Sequence, residues 1–233
     1  MIDDAVIEDF FRLTTDAVRF FPKKCITSSL AVPIFSAALS ALTLQQIDPL
    51  IATLHYYRDL LSFGFDNPPV SEFRDPDGQQ YTNPPEVQAA VKQLVSSQGQ
   101  ALVERVLTGM MFSFPEDCFP DASGVLMTLF ELMPQEAGAW VQSTLQLLPA
   151  GSLKPGEAER LMKGISDKVQ SGETRKIRVL LQGSFPPFRY DDFRSFACVL
   201  TLRPDFTNSY RRRNVAPREG LGRLEATRFR FTG

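Results

Sequence analysis

The residue types able to carry proton-transfer or covalent chemistry are few and scattered along the 233-residue chain. Its single histidine, His55, lies in LHYYRDLL, where an imidazole on a helix serves either as a partly buried structural group or as a catalytic base. A serine hydrolase would set that imidazole against a GxSxG elbow, which the sequence lacks. The phosphate-loop pattern GxxxxGK, the HExxH pair and an EF-hand run are also missing. Gly220 to Glu225, GLGRLE, begins like a dinucleotide fingerprint but follows no strand and lacks the third glycine. Cys25, Cys118 and Cys198 are odd in number, far apart and outside any CxxC spacing, which argues against a disulfide framework or a zinc site and for buried thiols.

Carboxylates are plentiful, but Asp3, Asp4, Glu8 and Asp9, and again Glu116 and Asp117, fall where helices start. There they favour the helix dipole, which accounts for them without an acid–base pair. The expectation is therefore a non-enzyme with no catalytic residue, no cofactor and no metal. One feature concentrates charge. Residues 1–188 hold 15 Lys+Arg against 22 Asp+Glu, a balance of −7, whereas residues 189–233 hold 10 Arg and 5 Asp+Glu, a balance of +5. The arginine-rich tail RRRNVAPREGLGRLEATRFRF is open to three uses: a salt-sensitive nucleic-acid patch, a solvated end, or a segment docking Phe229 and Phe231 on a neighbouring helix.

The elements that would position these groups are helices. Apolar residues recur at helical spacing, and strand-like alternation is hard to find before residue 183. The first helix is expected from about Asp4 to Phe21, with Val6, Phe10, Leu13, Ala17 and Phe20 on its apolar face and Pro22 after it. The next spans Ser29 to Leu42, with Pro33 in an early turn or at a kink, and another runs from Ile47 to Phe63 and stops at Gly64. FDNPPVSEFRDPDGQQYTNPP reads as a loop. Glu86 to Val95 resumes the pattern, and a separate helix carries Val103, Val106, Leu107, Met110 and Phe114. Further stripes sit on Ala122 to Met133, Ala137 to Leu148 and Ala158 to Val169.

Eight or so amphipathic helices joined by Pro or Gly turns make either a bundle or a helical-repeat solenoid. Aromatic-Pro stops at Phe20 to Pro22 and Ser113 to Pro115 are 93 residues apart, room for two units of about 40–47 residues. The expected class is all-α, an α-solenoid of stacked HEAT or armadillo-like hairpins over residues 1–182, with an irregular C-terminal tail. No stretch approaches the roughly eighteen apolar residues of a membrane span, and the acidic start MIDDAVIEDFF is unlike a secretion signal, so a soluble intracellular protein is expected.

Several long segments carry a resemblance: EDFFRLTTDAVRFFPKKCITSSL, TLQQIDPLIATLHYYRDLLSFG, LTGMMFSFPEDCFPDASGVLMTLFELMP and DFTNSYRRRNVAPREGLGRLEATRFRF. Over Met1 to Gln182 and Asp205 to Phe231 the chain resembles the C-terminal part of nuclear import receptors of the importin-β (karyopherin) superfamily, in the branch of transportin-SR and the fungal mRNA transport regulators. That resemblance implies protein cargo of the RNA-binding type, contact with nucleoporin Phe-Gly repeats, and shuttling between nucleus and cytoplasm. It also implies Ran-GTP as a partner of a full-length receptor, with the main Ran site outside this chain, and no direct nucleic-acid or membrane partner. Arg211, Arg212 and Arg213 are the candidate cargo-binding residues, since guanidinium pairs phosphate in a bidentate fork. The alternative is a HEAT-repeat scaffold or adaptor of another assembly.

Gly183 to Pro204, GSFPPFRYDDFRSFACVLTLRP, departs from the pattern. Pro186 and Pro187 interrupt the helical run KIRVLLQ, whereas joining Gln182 to Asp205 would put Ile177, Leu180, Leu181, Phe206 and Tyr210 on one apolar face. These 22 residues read as a translated, unspliced intron, or alternatively as a lineage-specific loop. Residues 205–233 then form a terminal helix and the Arg-rich tail.

Overall fold

Proline and acidic residues set the helix starts. The computed structural model describes residues 4–67, 82–149 and 152–184, all within one compact unit inside Met1–Phe188. Among them are nine α-helices: α1 (Asp4–Phe20), α2 (Pro22–Ile26), α3 (Ala31–Ala41), α4 (Ile47–Ser62), α5 (Pro85–Phe112), α6 (Phe119–Leu132), α7 (Pro134–Leu147), α8 (Glu157–Gln170) and α9 (Arg175–Ser184). In α2, α5, α6 and α7 a proline occupies one of the first two positions, where its fixed φ suits the helix and its missing N–H would have had no partner anyway. Gly156, at φ 78°, turns the chain into α8, whose first turn carries Glu157 and Glu159.

The helices form two layers. In one, α1, α4, α6 and α9 lie side by side, each packed on the next. In the other, α2 and α3 pack on α5, α5 on α7 and α7 on α8. Contacts between α1 and α2, α3 and α4, α5 and α6, and α8 and α9 join the layers. This is an all-α helical array, as expected, and one continuous core runs through it. At its centre Phe35 of α3 meets Tyr57 of α4 edge-to-face, ring centroids 4.9 Å apart, and the Tyr57 hydroxyl donates to the Phe35 carbonyl at 2.8 Å. Both rings are fully buried, so the phenol keeps a partner while its ring fills the seam between layers.

Three expectations need correction. The face assigned to α1 is the wrong one: Val6, Phe10, Leu13 and Phe20 are 57, 43, 70 and 61% exposed, Ala17 is half-buried, and the helix buries Phe11, Thr14, Thr15 and Val18 instead. The threonines can enter the core because each hydroxyl donates to a carbonyl one turn back, Thr14 to Phe10 and Thr15 to Phe11, both at 2.7 Å. With the polar group satisfied inside the helix, the rest of the side chain behaves as a small apolar one. Next, Glu86 to Val95 and the stripe at Val103 to Met110 belong to one 28-residue helix, α5. Gly99 lies within it, and a Cβ there would come within 2.5 Å of the Trp140 ring of α7, so the glycine marks a close helix approach and not a break.

Pro22 follows the first helix as expected and also opens the short α2. The third correction concerns the two Phe-Pro stops, which are not equivalent. Pro22 lies between α1 and α2, where the chain changes from the first layer to the second; Pro115 lies between α5 and α6, where it changes back. Their separation is therefore no repeat length. At the latter joint, Glu116–Cys118 make a short 3-10 turn, and the Phe114 ring folds back over Gly109.

The loop expected after Gly64 lies largely outside the described residues, but its end is pinned. Asn83, fully buried, donates its amide to the carbonyls of Phe65 at 2.8 Å and Ser62 at 3.3 Å, which supplies donors to the end of α4. Ile177 and Leu181 of α9 are buried and Leu180 packs against the core, matching the described part of the apolar face expected there. Phe206, Tyr210 and the segment 185–204 lie outside the described residues.

Candidate interaction surface

Where α1, α4 and α6 meet, their polar residues form a chain of charge. Arg19, in the last turn of α1, holds Asp59 of α4 through Nε at 2.7 Å and Nη2 at 2.6 Å. The next residue back, Arg58, reaches Asp59 at 3.3 Å and Asp121 of α6 at 3.5 Å. His55, one turn earlier on α4, places Nε2 at 3.3 Å from the same Asp121 carboxylate. The line thus steps from helix to helix across one layer, with an arginine spanning each junction.

The environment sets the chemistry. Asp59 and Asp121 are the more enclosed partners, with side chains 14 and 23% exposed. His55 beside Asp121 holds that carboxyl below the ordinary aspartate range, aided by Arg58 and Arg178 and opposed by partial burial. His55 therefore lies beside the Arg58–Asp59 and Arg58–Asp121 ion pairs between helices, in contact with Asp121. Cys118, buried on the 3-10 turn before α6, has its thiol pushed up to about 12 by burial and by the nearby carboxylates of Asp121, Asp117 and Asp48. That makes it a protonated, unreactive thiol. Cys25 is half-buried, and its Sγ lies 3.3 Å from the Ala17 carbonyl; Cys198 lies outside the described residues.

The second layer is uneven: α2, α5 and α8 carry charged residues, whereas α3 carries none and α7 only Glu136, and exposed positions of α5 and α7 include the amides and hydroxyl of Gln93, Ser96, Gln100, Gln142 and Gln146. Ser36 of α3 bonds Gln98 of α5 at 2.9 Å. Among the described residues no group of three metal-ligating side chains converges, and no helix is long and apolar enough to cross a membrane.

The candidate cargo arginines, Arg211, Arg212 and Arg213, lie outside the described residues. Sequence reasoning missed the charge line itself. Its signal was present as the Arg58-Asp59 pair inside an apolar helix and as Arg19 and Asp121 beside the apolar stripes of α1 and α6, but pairing across helices needs the layer order.

Comparison with known proteins places these features in context. No family model matches. The chain is 30% identical over 220 residues to an uncharacterized protein of Schizosaccharomyces pombe, covering 93% of this chain and 20% of that one. It is 24% identical over 187 residues to the mRNA transport regulator MTR10 of Saccharomyces cerevisiae, covering 75% and 18%. Among solved structures it resembles importin-13 in its cytosolic state, with a TM-score of 0.56 at 13% identity over 78% of this chain and 18% of that one. The chain thus spans about a fifth of the length of these curated relatives.

Proposed function

We propose that this chain is a segment of a nuclear transport receptor, starting from the relationship to the karyopherin (importin-β) superfamily that its similarity to MTR10 and its importin-13-like fold support. The observation that carries the proposal is the two-layer helical array, seen together with those two similarities. Such an array works by surface: it offers long faces of differing chemistry, and binding comes from many shallow contacts. The chain acts as a binding module without an active site, and His55 holds helices together.

Its finer assignment is to the transportin-SR and mRNA transport regulator branch, on the cargo side of the receptor. The cargo is RNA-binding protein, the pore contacts are Phe-Gly repeats of nucleoporins, and the whole receptor shuttles between cytoplasm and nucleus and answers to Ran-GTP through repeats outside this chain. The surplus of carboxylates over residues 1–188, −7, steers basic segments of cargo toward the array. Arg211, Arg212 and Arg213 receive phosphorylated serines of Arg-Ser tracts.

Fluorescence anisotropy with a labelled Arg-Ser peptide, phosphorylated and unphosphorylated, tests this. The phosphorylated form should bind more tightly, and replacing Arg211, Arg212 and Arg213 together with alanine should weaken it at least about tenfold. Equal binding by the triple variant removes the arginines from the site. Capture from nuclear extract of neither RNA-binding proteins nor nucleoporins would favour the scaffold alternative.

A further inference from the structure

The helix α9 is fastened to α6 near both of its ends. Toward its C-terminal end the Gln182 amide donates to the Ser123 hydroxyl at 2.8 Å. Just ahead of its first residue the Thr174 hydroxyl donates to Glu131 Oε1, also at 2.8 Å. The two fastenings differ in exposure: Ser123 is fully buried, whereas Thr174 and Glu131 are each half-buried. Glu131 lies in the last turn of α6, at the negative end of the helix dipole, where a carboxylate is disfavoured unless a donor meets it. Thr174 supplies that donor from another helix. α9 depends on such contacts, because only Ile177 and Leu181 of its ten residues are buried.

The residues around Thr174 set it apart from other hydroxyls. Among the described residues it is the one serine or threonine followed directly by two basic residues, Arg175 and Lys176, with Arg178 two positions further on, and all three are exposed. Ser171 and Gly172, before it, are exposed too, in the turn between α8 and α9 where Gly172 takes a φ of 69°. A thinly packed helix beside an exposed turn opens locally at low cost. Such opening lays residues 171–178 out as an extended, basic segment with one acceptor hydroxyl placed immediately before the charges.

We propose that Thr174 is a phosphorylation site for a kinase that selects basic residues after its acceptor, and that the modification unfastens α9 from α6. Thr174 Oγ1 forms a bond to the γ-phosphorus of ATP, the bond from that phosphorus to the β–γ bridging oxygen breaks, ADP leaves and the hydroxyl proton is released. Two changes follow at Glu131. Its donor is lost, and in the donor's place stands a group carrying about −1.5 to −2 charges. The positive end of the α9 dipole and the neighbouring Arg175 favour the phosphate where it is, so the helix persists while its link to the end of α6 parts. Thr174 is thus a switchable contact of the array, independent of whether the chain serves transport.

The test treats the 233-residue chain with the catalytic domain of protein kinase C and MgATP, locates phosphate by mass spectrometry and follows amide hydrogen exchange. The expected result is phosphate on Thr174 and α9 amides that exchange faster by about tenfold or more, the scale of losing a hydrogen bond to a charged group, while α4 amides keep their rate. The same treatment of Thr174→Val should leave α9 exchange as it was. Absence of phosphate from Thr174 overturns the proposal, and so does phosphate there with α9 exchange unchanged. Equal acceleration in Thr174→Val overturns it as well, since another hydroxyl would then be the source. If Thr174→Val fails to fold, phosphatase treatment of the modified wild type decides: a return of α9 to its first rate upholds the switch, and a fast rate that persists after the phosphate is gone refutes it.

Discussion

Asp121 gathers His55 at 3.3 Å and Arg58 at 3.5 Å, and the hydrogen-bonded His55 leads the groups that lower its pKa. An aspartate whose folded pKa lies below its unfolded value, about 3.9, contributes stability that is present above that value and is lost as pH falls through the folded pKa. Asp121→Asn should therefore cost about 1 kcal/mol or less near neutral pH, discounted because these side chains are partly exposed. The gap between wild type and variant should close below about pH 4. Urea unfolding at pH 7 and pH 3 measures both, and a gap of the same size at the two values would show that the carboxylate's charge is not the source. Glu173 behaves alike on the surface: Lys168, at 2.9 Å, and Lys176 bond it and lower its pKa to about 2.

At the scale of elements, the joint between α5 and α6 depends on a missing side chain. The Phe114 ring lies so close over Gly109 that a Cβ there would come within 2.2 Å of it, while Phe114 is buried and its N–H closes on the Gly109 carbonyl at 2.7 Å. Gly109→Ala gains up to about 1 kcal/mol of helix propensity but overpacks a buried ring at about 1–3 kcal/mol. The expected net is a loss of about 1 kcal/mol, seen as a melting temperature lower by about 2–4 °C; an unchanged or higher value would show that the ring moves aside freely. Helix identity was legible in the sequence because proline and acidic starts and apolar periods coincide, as in α4 and α6. The packed face of α1 was not, since two self-bonded threonines replaced the expected apolar residues and the obvious stripe points outward. Neither was the continuity of α5, because a glycine in mid-helix reads as an interruption until Trp140 is placed against it. The charge line was invisible for a related reason: its partners come from helices 40 and 63 positions apart, Arg19 with Asp59 and Arg58 with Asp121.

For the molecule as a whole, a stack of helices held by neighbours should open from its thinly packed end. In arrays of this type stability is close to a sum of local terms, and α8 and α9 bury only Leu161, Ile165, Ile177 and Leu181 among fully enclosed side chains. Native-state hydrogen exchange should show amides of α8 and α9 exchanging fastest and those of α4 and α6 slowest. A uniform rate across all of them would mean the array opens in one cooperative step. The sole tryptophan, Trp140, leans on Gly99 where α7 meets α5. The chain therefore carries a native fluorophore at that seam, and its emission wavelength follows the parting of those two helices without any added dye.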